Sequence, residues 1–236
     1  MSAGWVAKRF WSTVEVEPVA GGYGLRLDAK PLKTPGKAPF VVPGAALAAA
    51  VAAEWRAQQG VIRPQAMPFT RAANSAIDKV RVQQAEVVAI VAAYGGSDLL
   101  CYRAVGPQPL VARQAAAWDP LLAWAASIGA PLRAVAGVMH IAQAEPSLAC
   151  LSRRVAALDA FVLTGFHDLV AISGSLVIGL AVLDGMDDPE RLWAWSRIDE
   201  EWQAEVWGAD AEAEAAAVLK RADFLQAARF CRLCRE

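Results

Sequence analysis

With 236 residues, of which 56% are hydrophobic, the chain has enough apolar material for one large domain or two modest ones, which excludes disorder as its dominant state. A net charge of -1, from 23 basic and 24 acidic residues, gives no global attraction to nucleic acid or to an anionic membrane surface. The cysteines Cys101, Cys150, Cys231 and Cys234 are too few and too scattered for a secreted disulfide framework, so a reducing cytosol is the expected home.

The opening MSAGWVAKRFW has neither the continuous hydrophobic core of a signal peptide nor the basic content of a transit peptide, and is read as the mature start of a cytoplasmic protein. Phe10, Ser12, Val14 and Val16 alternate with Trp11, Thr13, Glu15 and Glu17, which predicts a strand running into a turn at Gly21-Gly22. Tyr23 to Leu27 reads as a second strand and Phe40 to Val42 as a short third one. From Ala45 to Gln59 the period becomes helical, with Leu47, Val51, Trp55 and Gln58 near one face and Gly60 as the stop. This region, 1–68, is expected to be a small β-rich domain packed by one helix, closed by the extended segment around Pro64, Met67 and Pro68.

The rest, 69–236, is expected to be a larger helical domain, making the fold α+β. Thr70 is a candidate N-cap. The predicted helices are 71–94, 109–128 with Pro120 ending or kinking it, 147–164, 168–183, 189–207 and 211–229. Asp188 before Pro189 forms a good capping pair. The run from Leu169 to Leu183 is the longest apolar stretch, but falls short of the ~20 residues of a spanning helix. It is read as one buried helix in which Gly174, Ser175 and Gly179 admit close neighbours.

The densest chemistry lies at Asp199-Glu200-Glu201-Trp202-Gln203-Ala204-Glu205-Val206-Trp207-Gly208, four carboxylates and two tryptophans on one predicted helix. On a helical wheel Trp195, Ile198, Trp202 and Val206 form one stripe, and Trp193, Ser196, Glu200, Gln203 and Trp207 a second nearly opposite. Two stripes favour a helix wedged between two others over a recognition face, since tryptophan is usually well buried. Glu201 lies one turn after Arg197, which predicts an i,i+4 ion pair on that face.

Catalytic signatures are otherwise missing. Gly21-Gly22-Tyr23-Gly24 lacks the helix and acid of a dinucleotide site, and Gly36-Lys37 lacks the rest of a phosphate loop. His140 and His167 suit ordinary surface or core roles, and a metal site would need more ligands. Cys231-Arg232-Leu233-Cys234 has redox spacing but follows a helix at an expected frayed end. Ser173-Gly174-Ser175 falls inside the apolar helix and makes no nucleophile elbow. No cofactor is expected.

In order along the chain stand Arg9-Phe10-Trp11, Leu27-Asp28-Ala29-Lys30-Pro31-Leu32-Lys33-Thr34-Pro35, Ala52-Ala53-Glu54-Trp55-Arg56-Ala57-Gln58, Met67-Pro68-Phe69-Thr70 and Ala76-Ile77-Asp78. Tyr94, Asp98-Leu99-Leu100-Cys101-Tyr102-Arg103, Gln114, Trp118-Asp119-Pro120, Asp199-Glu200-Glu201-Trp202-Gln203 and Trp207-Gly208 follow. In this ordered set the chain resembles the assembly chaperones that bind the alpha subunit of the F1 sector of ATP synthase. The resemblance implies a monomeric, non-enzymatic holdase in the bacterial cytoplasm, shielding free alpha until beta replaces it, with no nucleic acid and no stable membrane association. It makes Glu200 and Glu201, with Gln203 and Trp207, the leading client contacts. Glu54 and Trp55 come next, although burial of Trp55 against the sheet competes with contact. Asp98, Tyr102, Trp118 and Asp119 are expected to be structural. The stretch Ala209 to Glu214 is alanine-rich where mitochondrial relatives are more polar, which counts against Glu212 and Glu214 as contacts. The competing readings are a small-molecule enzyme or ligand-binding protein using Glu200 and Glu201 in an acidic interdomain cleft, and a general chaperone, which the shortage of methionine disfavours.

Overall fold

The computed structural model describes residues 8–236, so most of the opening stretch read as a mature start lies outside the described residues. The fold is α+β, a small sheet region followed by many helices. Two compact units account for it. The first runs to Gln84 and includes Ala160–Thr164 and Arg229–Glu236; the second comprises Ala85–Asp159 and Gly165–Ala228. Pro68, the boundary expected from sequence, falls inside the first unit because Glu54 bonds the residues just after it, as described below.

In the first unit, β1 (Val14–Val19) and β2 (Gly22–Leu27) form an antiparallel hairpin with Val14 opposite Leu27 and Val19 opposite Gly22. β3 (Lys30–Pro31) and β4 (Val41–Val42) also pair antiparallel with β2. Gly22 admits β4: a Cβ there would stand 2.2 Å from the Val42 carbonyl oxygen. The expected start of β1 at Phe10 is four residues too early. The N–H groups of Ser12 and Thr13 donate to Asp28 Oδ1 at 3.0 and 2.8 Å instead of to a neighbouring strand. These bonds, the one from Thr13 foremost, hold the Asp28 carboxyl below the usual range. α1 (Ala45–Ala57) packs on β1 and β2, burying Leu47, Val51, Leu25, Leu27 and Val42 between them.

α2 (Pro68–Ser75) runs into one π-helical turn at Ala76–Val80, in which the Arg81 N–H donates to the Ala76 carbonyl at 3.0 Å. The single helix expected over 71–94 is therefore interrupted. The Asp78 carboxylate of that turn accepts from the Thr34 hydroxyl at 2.6 Å and the Gly36 N–H at 2.9 Å. Residues 229–236 complete the unit. The Cys231 thiol donates to the Val162 carbonyl at 3.6 Å, the Leu233 carbonyl abuts Gly44, and Cys231 and Cys234 are buried. The end expected to be frayed is thus a packed helix end.

The second unit takes all but the first residue of α3 (Gln84–Ala93), β5 (Tyr102–Arg103), α4 (Gln108–Ser127), β6 (Val135–Ala136) parallel to β5, α5 (Glu145–Ala156), the larger part of α6 (Ala160–Ser173), α7 (Leu176–Asp184), α8 (Pro189–Trp195), α9 (Ile198–Trp207) and most of α10 (Ala211–Arg235). α4 packs against α7, α8 and α9, with Trp118 fully buried. Pro120 neither ends nor visibly breaks α4, because it lies on the exposed face beside exposed Ala116, whose freed carbonyl can meet water. The helix expected over 147–164 stops at Ala156, and Asp159 stands at the position before α6 that favours a capping side chain.

Two further expected helices are also divided. Gly174 takes φ +72°, a left-handed value, and breaks the apolar run between α6 and α7. Ser175 caps α7, its hydroxyl oxygen accepting the Ile178 N–H at 3.0 Å and its proton going to the fully buried Asp98 carboxylate at 2.7 Å. Asp98 also accepts from Val177 N–H and Leu100 N–H, both at 3.0 Å. Burial dominates these favourable bonds and pushes the Asp98 carboxyl above its usual range. Gly179, by contrast, does admit a close neighbour: a Cβ would come within 2.7 Å of Val170 and 2.9 Å of Phe166. The expected helix 189–207 turns at Ser196-Arg197. Trp118 Nε1 donates to the Trp195 carbonyl at 2.8 Å, and the Ser196 hydroxyl takes the Trp193 carbonyl at 2.7 Å. Side chains thus occupy carbonyls that a continuous helix would use.

Candidate functional site

The division at Ser196 removes the wheel on which Trp193 and Trp207 shared a stripe. Trp193 and Ser196 are buried, each 5% exposed. Beyond Trp202, which is half-buried, every residue of α9 is exposed; Val206 is 53% and Trp207 78% exposed. The favoured expectation of a helix wedged between two others therefore holds for Trp193 and Ser196, which precede the acid-rich segment, and fails for the segment itself. A tryptophan left mostly in water at the last turn of a short helix adds little to the fold.

α9 is fastened to α4 along one side. Gln114 donates to Asp199 at 2.5 Å while its carbonyl oxygen accepts the Ala104 N–H at 2.8 Å. Arg113 reaches both oxygens of Glu205, at 2.8 and 2.9 Å, with its guanidinium 5.2 Å from the Trp202 ring centroid. The two parallel bonds give a bidentate pair, and the stacked cation adds to it. Hydrogen bonding to Arg113 holds the Glu205 carboxyl below its usual range. Arg113 went unnoticed in the sequence because 92 positions separate it from Glu205.

The candidate contacts divide sharply. Glu200 is exposed and accepts from Arg197 Nη1 at 2.6 Å, an i,i+3 pair. The pair expected between Arg197 and Glu201 is not the one formed; Arg197 backs onto the Trp193 ring, 5.6 Å from its centroid, and from there meets Glu200. Glu201 makes no ion pair among the described residues. Partial burial pushes its carboxyl above the usual range, against the pull of Arg113. Gln203 is exposed beside it. Glu200, Glu201, Gln203 and Trp207 therefore lie on one short helix with their heads accessible.

Glu54 and Trp55 belong to the first unit and do different work. The Glu54 carboxylate accepts from Phe69 N–H at 2.7 Å, Thr70 N–H at 2.8 Å and the Thr70 hydroxyl at 2.6 Å. It serves the first turn of α2, where orphan donors and the helix dipole favour an anion. Thr70 is thus not the N-cap expected from sequence; Pro68 opens the helix and an acid from α1 satisfies it. Burial pushes the Glu54 carboxyl upward despite these bonds. Trp55 is half-buried with its ring edge-on to Trp11 at 5.1 Å.

Among the described residues no group of three or more His, Cys, Asp or Glu side chains is placed to hold a metal ion. A shallow cavity of about 380 Å³ in the second unit is lined by Ala92, Ala93, Gly96, Glu145, Leu148, Ala149 and Ser152, and contains none of the α9 acids. Glu200 and Glu201 sit on an open helix surface, which weighs against acid–base chemistry in a pocket. The residues expected to be structural are engaged internally: Asp98 as above, Trp118 on α8, Asp119 with Arg103 at 2.8 Å, and Tyr102 with His140 at 3.2 Å.

The sequence profile described as ATP12 chaperone protein matches residues 8–126. The structure is similar to crystallised Atp12 from Paracoccus denitrificans, with 51% identity, a TM-score of 0.94, and coverage of 97% of this chain and 98% of that one. A point mutant of the same Paracoccus protein gives 50% identity and a TM-score of 0.95 over the same shares. The Atu1473 protein of Agrobacterium tumefaciens is 38% identical with a TM-score of 0.91, covering 96% of this chain and 86% of that one. The chain belongs to the ATP12 chaperone family.

Proposed function

We propose that this protein is a chaperone in ATP synthase assembly that binds the free F1 alpha subunit and shields its beta-facing interface until beta replaces it. Family membership supports the chaperone class. The observation that carries the site is Trp207 at 78% exposure, next to exposed Val206, on a helix whose other side is clamped by Arg113. A tryptophan presents 150–250 Å² of burial, so returning most of it to a partner is worth about 2–4 kcal/mol. An unassembled subunit offers such a partner, because a surface destined for another subunit is apolar and aggregation-prone. Glu201 and Gln203 add acceptors that set specificity and steer encounter, while Glu200, already paired with Arg197, contributes least. Glu54 and Trp55 make the better structural residues, since both are already engaged inside the first unit.

The direct test is to dilute isolated F1 alpha from denaturant with and without the purified chaperone, following light scattering and then gel filtration. Suppressed scattering with co-elution is expected. Unchanged aggregation at excess chaperone, with no co-eluting alpha, would sink the proposal.

A further inference from the structure

From Ala211 to Asp223, α10 is a helix without a buried side. Every residue there is exposed except half-buried Ala217, and Val218 and Leu219 stand at 65% and 67%. Surface helices normally bury an apolar stripe. This one is held by local forces: alanine has the best helix propensity, Asp210 accepts the Glu212 N–H at 2.9 Å, and Glu212 and Glu214 place negative charge in the first turn. Its continuation is anchored by Phe224, buried against Trp193 with centroids 5.6 Å apart. The alanine content is thus what a helix needs to stand unpacked.

Its faces are not equivalent. At 100° per residue, Ala217, Arg221 and Phe224 share the side turned to the rest of the second unit, where Arg221 bonds Glu190. Ala211, Ala215, Val218, Leu219 and Ala222 form a stripe on the opposite side, bordered by Glu212 and Asp223 on one flank and Glu214 on the other. A helix with its apolar stripe turned outward lacks its partner.

Charge selects that partner. Residues 198–223 hold eight carboxylates and two cations, a net -6, while the remainder of the chain holds 21 cations and 16 carboxylates, a net +5. Two such segments repel, which argues against the same arm of a second copy as occupant, and polyanions are disfavoured equally. Gly208 to Asp210 joins this arm directly to the exposed Trp207 end of α9.

We propose that the Ala211–Asp223 arm, with the end of α9, is a docking surface for a basic polypeptide face carrying an apolar groove. Val218 and Leu219 enter the groove, the alanines permit close backbone approach, and Glu212 and Glu214 meet cations at its rim. This rests on the client reading above and adds to it that the contacting face of alpha is basic and is met by α10, including the acids that the sequence resemblance counted out.

The test uses the full chain, its V218S/L219S and E212K/E214K variants, and W207A, each checked by circular dichroism. Two probes are titrated: F1 alpha, and a synthetic amphipathic helix of leucine and lysine set against its leucine–glutamate counterpart. The arm predicts that the native chain prefers the lysine peptide at least tenfold, and that both double variants lose about tenfold toward lysine peptide and alpha, with the melting temperature unchanged for V218S/L219S and slightly lowered for E212K/E214K, which reverses the first-turn charge. If alpha binds and the double variants bind it as tightly as the native chain while W207A does not, the arm is overturned and the client reading stands. If alpha fails to bind, the client reading falls, and the peptide preference alone decides the arm: no preference refutes it.

Discussion

The chain contains two Glu-Trp pairs on helices, Glu54-Trp55 on α1 and Glu201-Trp202 on α9, and the fold treats them differently. Glu54 receives three donors from the start of α2, and Trp55 leans on Trp11. On α9 it is Trp202 that is engaged, under the Arg113 guanidinium, while Glu201 is left without an ion pair among the described residues. The same dipeptide is a staple in one place and an open acceptor in the other. Composition cannot separate the two; the separation comes from whether orphan N–H groups lie within reach. Most other motif residues side with Glu54: Asp28 bonds Ser12 and Thr13, Asp78 bonds Thr34 and Gly36, and Asp98 bonds Ser175 and Val177.

The sharpest way to break this contrast is at its most buried staple. Asp98→Asn keeps the shape but replaces acceptor oxygen with an amide facing N–H donors, and should cost about 3 kcal/mol in urea unfolding. The pH course carries a sign. Because the Asp98 carboxyl is raised in the folded state, its contribution is fully present below the unfolded pKa and declines as pH rises through the folded one. The stability gap between native chain and variant should therefore narrow with rising pH across that window; a widening gap would show that the ionised form is the favoured one. Glu54→Ala should follow at about 1–2 kcal/mol, from a lost helix-start anion and two N–H groups left in a half-buried site, while alpha binding at low temperature stays unaltered. Weakened alpha binding with intact stability would move Glu54 to the open class.

On the open side the expectations invert. Trp207→Ala should leave stability within about 0.5 kcal/mol and lower affinity for alpha about 30-fold, equivalent to about 2 kcal/mol. A large fall in melting temperature would instead make Trp207 structural. The smallest effects separate neighbouring acids. Glu201→Gln should weaken alpha binding several-fold, whereas Glu200→Gln loses an exposed pair worth about 0.3–0.5 kcal/mol and should barely change binding. Equal losses for the two, measured by calorimetric titration, would erase the distinction drawn from Arg197.

How much of this was legible depends on the range of the force responsible. The Asp188 cap followed from adjacent residues and is present, its carboxylate accepting the Glu190 N–H at 2.8 Å. The hairpin at Gly21-Gly22, α1 and the α+β class followed from periodicity and turn chemistry. The expected helices 168–183 and 189–207 are divided by one glycine whose conformation the apolar pattern hides and by a partner distant in sequence, respectively. Asp98 reaches 77 positions to Ser175, and Trp118 reaches 77 positions to the Trp195 carbonyl. The exposed arm of α10 was recoverable: Ala-Glu-Ala-Glu-Ala-Ala-Ala shows no large apolar residue at helical spacing, which is the mark of a helix with nothing to bury. Arg113 was not recoverable, because nothing local distinguishes it from any other arginine on an amphipathic helix.

The break at Gly174 has a consequence outside packing. It divides the longest apolar run, leaving α7 with only nine residues. Such a segment spans about 14 Å along its axis, less than half of the ~30 Å hydrocarbon thickness of a bilayer. No helix of the described residues is long and apolar enough to cross a membrane. The left-handed glycine lets the interior be as hydrophobic as a lipid-facing segment without acquiring its reach.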